Sequence, residues 1–247
     1  MEQTMYETLL QLPLFQGIGI NDLTKILEKV KFHFTKYRAG QKIFAKGDDS
    51  KNFVFIISGS FSMQSDFCVD EAKISYCELM NAPYLLEPFS LYGLHQTYLF
   101  SYTARTTVCA IIIEKTYLYS ELINYPTFRI NFINMLSNGN QRMYDKWGKI
   151  PHGNVRNKLI DFLLLVATVP AGEKFVKAKM EDLAYVLNTT RLKLSKVLNE
   201  LKEENAIDLL RMGFRVPELE ALKREPDPST HTKKGKEFSD IDGIVGL

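Results

Sequence analysis

Residues 179–207, KMEDLAYVLNTTRLKLSKVLNELKEENAI, constrain the fold more than any other stretch of this chain. Met180, Leu183, Val186 and Leu187 recur at helical spacing, as do Leu194, Val197, Leu198 and Leu201, so each set makes one apolar stripe on a helix. Between the two lies Asn188, a residue type that tolerates left-handed backbone. Thr189 or Thr190 then supplies a side-chain oxygen to cap the second helix. Two short amphipathic helices joined by so tight a turn read as a helix-turn-helix. Ile207 to Leu210, Met212-Gly213 and Phe214-Arg215-Val216 follow and predict a hairpin beside it, the wing of a winged-helix domain.

Side chains advance about 100° per residue on a helix, so Leu192, Ser195, Lys196 and Asn199 point away from the apolar stripe, flanked by Arg191 and Lys193. From Asn188 to Asn199 there are three positive charges and no acid, whereas Glu200, Glu203 and Glu204 lie beyond. That gradient suits a helix whose N-terminus meets phosphates and base edges. The bland alternative is an amphipathic surface helix whose charges only solvate it; the hairpin that follows favours the nucleic-acid reading.

The rest of the chain supports a larger frame. Between Gln41 and Glu114 short β-rich runs (KIFA, NFVFIIS, SFSMQSDF, KISYCELM, YLFSYTA, TTVCAIII) are separated by Gly, Asp, Asn and Pro, which suggests a sandwich or barrel. Ahead of them Asn21 to Val30 reads as a short helix with Asn21 as its cap. From Pro126 to Ile150, Phe128, Phe132, Met135, Leu136, Met143 and Trp147 recur at steps near three, four and seven, the pattern of a stripe facing a partner. Asn138-Gly139-Asn140 interrupts that helix, Pro151-His152-Gly153 reads as a hinge, and residues 154–167 form a further apolar-faced helix. A Pro-Ala-Gly-Glu turn leads from there into the helix-turn-helix. Beyond about Leu222 the polar tail shows no periodicity and is expected to be mostly disordered.

Composition excludes several classes. The 247 residues carry 31 Lys+Arg against 29 Asp+Glu, with 45% hydrophobic residues, an ordinary globular balance that gives one to two domains. Cys68, Cys77 and Cys109 are odd in number and form no C-x-x-C pair, which disfavours a disulfide framework and fits a reducing cytoplasm. No segment approaches a membrane span or an export signal. No P-loop, G-x-S-x-G, H-E-x-x-H or paired-His metal cluster occurs, so an enzyme is not expected.

Taken in order, these parts resemble the bacterial superfamily of the cyclic-AMP receptor protein and FNR regulators, up to about residue 220. RAGQKIFAKGDDSKNFVFIISGSF looks like that family's opening strands, with Gly40, Gly47-Asp48 and Gly59 at its glycine positions, and DLAYVLNTTRLKLSKVLNELKEENAI looks like its helix-turn-helix. The resemblance implies an α+β chain: an N-terminal double-stranded β-helix (a jelly-roll of cyclic-nucleotide-binding type) over 1–125, a dimerisation helix over 126–150, a winged helix-turn-helix over 151–222, and the tail at 223–247. It implies a sequence-specific, homodimeric transcription regulator that reads a near-palindromic site in double-stranded DNA. RNA polymerase is a further partner that it allows. Thr189, Thr190, Arg191, Leu192, Lys193, Ser195, Lys196 and Asn199 form the expected DNA-contacting set, with Arg191, Leu192 and Lys196 at the family's chief base-reading positions. The archetype has Glu where Leu192 stands; a carboxylate accepts from cytosine N4, whereas leucine touches a thymine methyl, so a different half-site is expected. Phe128, Phe132, Met135, Leu136 and Met143 are the expected dimer interface. The alternative is a ligand-binding or protein-interaction module of the same fold that does not bind DNA.

The effector is less legible. In this family phosphate capture uses a Gly-Glu-Leu segment with an Arg-Ser pair further on; here the counterpart is Leu86-Glu87-Pro88, and the Arg-Ser step falls near Tyr98-Leu99. Leu86, Glu87, Tyr98 and Leu99 are therefore the candidate effector pocket, but without the arginine a phosphate has no charged fork, and cyclic AMP is not expected. Arg105 lies too far along for an obvious replacement. Residues 1–40 contain no Cys, against an N-terminal iron-sulfur cluster. Haem needs only one His, and His95, ahead of His33, is the candidate ligand.

Overall fold

The computed structural model describes residues 5–147 and 153–222. Two N-terminal helices, α1 (Met5–Leu10) and α2 (Ile20–Lys29), share a core with Phe53, Phe55, Ile111 and Ile113 of the β-region. The cap of α2 is Gly19 rather than Asn21: the amides of Asp22 and Leu23 both bond the Gly19 carbonyl, which starts the helix two residues earlier than its polar side chain suggests.

Eight strands follow: β1 (His33–Tyr37), β2 (Lys42–Phe44), β3 (Asn52–Ser58), β4 (Ser60–Val69), β5 (Ala72–Asn81), β6 (Tyr84–Leu85), β7 (Ser101–Ala104) and β8 (Val108–Glu114). The β-region thus opens at His33, ahead of Gln41. β1, β8, β3 and β6 form one antiparallel sheet, and β2, β7, β4 and β5 belong to a second. β3 explains why NFVFIIS lacks alternation: Phe53 and Phe55 pack on the helical side with Leu23 and Phe128, while Val54 and Ile56 face the roll interior with Phe61, Tyr98 and Tyr102. A strand covered on both faces reads as a continuous apolar run.

After α3 (Thr116–Ser120), α4 (Pro126–Trp147) runs unbroken through Gly139. Here one expectation is corrected. Phe128 and Phe132 are buried in their own β-domain, edge-on to Phe15 at 5.3 Å and to Phe53 at 5.9 Å, and Met135 and Leu136 are partly buried on the same core. Of the expected interface residues Phe128, Phe132, Met135, Leu136 and Met143, it is Met143 that stands exposed. The opposite side of α4 exposes Ile130 (51%), Ile133 (48%) and Tyr144 (78%). The periodicity was real, but the stripe faces inward. Of the expected hinge, Pro151 and His152 lie outside the described residues, as does the 223–247 tail; Gly153 has φ +87°.

The C-terminal part comprises α5 (Val155–Val166), β9 (Lys174–Ala178), α6 (Met180–Val186), α7 (Arg191–Glu203), β10 (Asp208–Leu210) and β11 (Gly213–Val216). Asn154 caps α5, its side chain accepting the Asn157 amide at 2.8 Å, and Arg156 grips Glu204 with two 2.6 Å bonds that tie α5 to the end of α7. The strand β9 was not foreseen in KFVKA. It pairs with β11 on one side and β5 on the other, so the second sheet continues as β10-β11-β9-β5-β4-β7-β2. Gly213 is required at this junction, because a Cβ there would run into the Val176 carbonyl.

Candidate DNA-reading surface

The turn between α6 and α7 forms as its residue types dictate. Asn188 takes φ +46°, the Thr189 amide returns to the Ala184 carbonyl at 3.0 Å, and Thr190 caps α7 by accepting the Lys193 amide at 3.3 Å. Leu183 and Ala184 of α6, Leu187 at its C-cap, and Leu194, Leu198 and Leu201 of α7 are buried in one core with Leu159, Leu163 and Phe214. Burying that stripe forces the other side of α7 outward: Leu192 is 81% exposed, Arg191, Lys193, Lys196 and Asn199 are exposed, and Ser195 is half-buried.

Arg191 does not hang free; its guanidinium meets Glu181 of α6 at 2.9 Å. Lys196 lies 3.8 Å from Glu200, one turn on. Both pairs are largely exposed, so they orient the cations at little energetic cost and yield them readily to a phosphate or base. The wing stands beside them. Arg191, Ser195 and Asn199 of α7, Lys179 and Glu181 at the start of α6, and Leu209, Leu210 and Met212 of the β10–β11 hairpin line one groove of about 370 Å³. Helix and hairpin therefore present a single surface, with the helix N-terminus and its cations at the front.

The four effector-pocket candidates also meet. Leu86 and Tyr98 are buried with Glu87, which adopts φ +33°. The Glu87 carboxylate accepts from Ser90 Oγ (2.7 Å), the Leu99 amide (2.8 Å), the Phe100 amide (2.9 Å) and Tyr102 Oη (2.9 Å). The side chain of Leu99 points to solvent while its amide serves the carboxylate. Four donors fill the oxygens that a sugar hydroxyl would need. Around them Tyr98 stacks on Phe44 at 4.4 Å, and burial pushes the Tyr84 phenol up to about 12 and raises Tyr98 and Tyr102 further. His33 and His95 are exposed, the latter beside Leu94, which is 97% exposed. Among the described residues no cluster of three His, Cys, Asp or Glu side chains is placed to hold a metal ion, and no helix is long and apolar enough to cross a membrane.

Residues 157–225 match the family model of the Crp-like helix-turn-helix domain. No curated protein matches the chain. Among solved structures, the Thermus thermophilus catabolite activator protein is 20% identical over 85% of this chain and 96% of its own, with a TM-score of 0.49. The c-di-GMP responsive global regulator CLP of Xanthomonas campestris is 16% identical over 81% of this chain and 99% of its own, with a TM-score of 0.48. DNR of Pseudomonas aeruginosa is 18% identical over 90% of this chain and 100% of its own, with a TM-score of 0.41. With α6, α7 and the wing assembled over the residues that match this model, residues 157–225 form a Crp-like helix-turn-helix domain.

Proposed function

We propose that the protein acts in the cytoplasm as a homodimer that reads near-palindromic duplex DNA, laying α7 of each protomer in the major groove. The observation that carries this reading is the division of α7: Leu194, Leu198 and Leu201 are buried while Leu192, Lys196 and Asn199 stand exposed on one face with Arg191. Arg191 and Lys196 are suited to guanine O6 and N7, and Leu192 to a thymine methyl; Thr189, Thr190, Lys193, Ser195 and Asn199 suit phosphates and neighbouring bases. The free apolar side chains of α4, Ile130, Ile133 and Tyr144, are the part of that helix a second copy would cover. Twofold symmetry then sets half-sites about one helical turn apart. RNA polymerase is the partner through which a DNA-bound dimer would act on transcription.

The β-roll is proposed to answer to a signal other than cyclic AMP, because Glu87 is saturated from within and the phosphate arginine has no counterpart at Tyr98-Leu99. The test of DNA reading is the salt dependence of duplex binding. Lys193→Ala and Lys196→Ala are each expected to weaken binding and to lower the slope of log affinity against log salt by about one. Unchanged slopes in both variants overturn the docking of α7.

A further inference from the structure

Strands β5 and β9 bring two oppositely charged side chains face to face inside the molecule. Glu78 and Lys174 are partners in the register Ile74↔Ala178, Ser75↔Lys177, Tyr76↔Val176, Cys77↔Phe175, Glu78↔Lys174. Both side chains are 0% exposed, with Nζ 4.0 Å from Oε2. Glu78 Oε1 accepts from Tyr76 Oη (2.9 Å) and the Thr168 amide (2.5 Å), and Lys174 donates to the Ala171 carbonyl (2.7 Å). Oε2 has no hydrogen bond. Burial pushes the Glu78 carboxyl up and the Lys174 ammonium down, each opposed by the other's charge.

A pair held like this adds little net stability, since desolvation consumes most of the attraction, but it is costly to separate. It therefore selects one arrangement. Sliding β9 along β5 strands a buried ammonium opposite an apolar or neutral residue, so only the observed register leaves neither charge alone. The same hairpin touches the DNA-reading part at two further points. Phe67 packs on Phe162 of α5 at 6.0 Å. At the tip, Asp70 accepts from Tyr185 Oη of α6 (2.5 Å), and Asp182 of α6 accepts the Lys73 amide (3.2 Å). α6 in turn carries α7 through their common core and through Glu181–Arg191.

We infer that Glu78 and Lys174 are positioning residues for DNA recognition: by locking β9 onto the sensor hairpin in one register, they hold α7 at a fixed angle to the β-roll. The inference rests on the proposed homodimeric DNA reading. Two reading helices that must meet two half-sites at once bind more tightly when neither has to be ordered during binding. A reading helix no longer held in that register searches more orientations. The lock thereby makes the β4–β5 hairpin, and not only the segment after α4, a route by which the sensor sets the reading helix.

The test uses the full chain with Cys68→Ser and Cys109→Ser as the parent. Phe175→Cys sets a thiol opposite native Cys77, a pair whose strand spacing suits a disulfide. Burial raises the Cys77 thiol, so oxidation is done in mildly alkaline buffer and the bond is verified by mass. Glu78→Ala in the parent is expected to weaken binding to the duplex that the parent selects from random sequences by about tenfold or more, and to tolerate an extra base pair between half-sites that the parent rejects. Hydrogen exchange without DNA is expected to speed up at the Leu79 amide, which bonds the Glu173 carbonyl across the junction, and at the Cys77 and Phe175 amides of the next hydrogen-bonded pair, while Leu198 stays protected. In the oxidised Phe175→Cys background, Glu78→Ala is expected to recover affinity to within about twofold and to regain spacing discrimination; reduction removes the rescue. Should Glu78→Ala not accumulate as folded protein, Glu78→Gln, which still accepts from Tyr76 and Thr168 but leaves Lys174 without its counter-charge, is read in the same way. Parental affinity, spacing preference and exchange in these variants, or a verified disulfide that restores nothing, overturns the lock. A parent that binds no DNA while Glu78→Ala still speeds exchange at the junction overturns the proposed function and leaves the lock standing.

Discussion

Thr190 shows how single residues place the reading surface. Its side-chain oxygen satisfies one of the orphan amides at the start of α7, the end that carries Arg191 and Leu192. Thr190→Ala is expected to cost about 1 kcal/mol of stability in chemical denaturation, and to fray the turn that carries Arg191 and Leu192. These residues were legible because a cap and a left-handed Asn act locally: Thr190 and Asn188 adopt the conformations that their chemistry predicts in any context. Glu87 was legible only as a candidate. That its oxygens are taken by Ser90, Leu99, Phe100 and Tyr102 depends on strands many residues away. The Glu181 partner of Arg191 was likewise missed, because it sits on the neighbouring helix.

Helix α4 shows where spacing stops being sufficient. Phe128, Phe132, Met135 and Leu136 form a stripe, and a stripe says that something covers it, not what does. The β-domain covers it here, which leaves Ile130, Ile133 and Tyr144 on the opposite side. Replacing Ile130 and Ile133 together by Asp is expected to convert a dimer to a folded monomer in analytical ultracentrifugation, because paired charges would face each other across a twofold axis; an undiminished dimer assigns self-association to another surface. Gly139 lies inside α4 with open space where a Cβ would project. Gly139→Ala is therefore expected to raise stability by about 0.5–1 kcal/mol in thermal or chemical unfolding. Strand β9 escaped notice for a different reason. KFVKA is only five residues long, and its apolar positions acquire meaning from β5, about a hundred residues earlier in the chain.

In the whole molecule, the β-roll and the helix-turn-helix part share a sheet and a hydrophobic core: Ile74 and Tyr76 of β5 pack with Leu159, Leu163, Leu194 and Phe214. The division into separate domains read from the sequence describes the order of the elements but not this junction, which local patterning does not reveal. The exposed face of α7 carries leucine at its second residue, and under the proposed DNA reading this residue sets a specific base preference. Binding-site selection from random duplexes by the purified full chain is expected to enrich an inverted repeat with half-site centres about 10 base pairs apart. Thymine is expected at the step facing Leu192, and Leu192→Glu should move that step to cytosine. No enriched repeat, or a repeat whose sequence is indifferent to Leu192→Glu, contradicts sequence reading by α7.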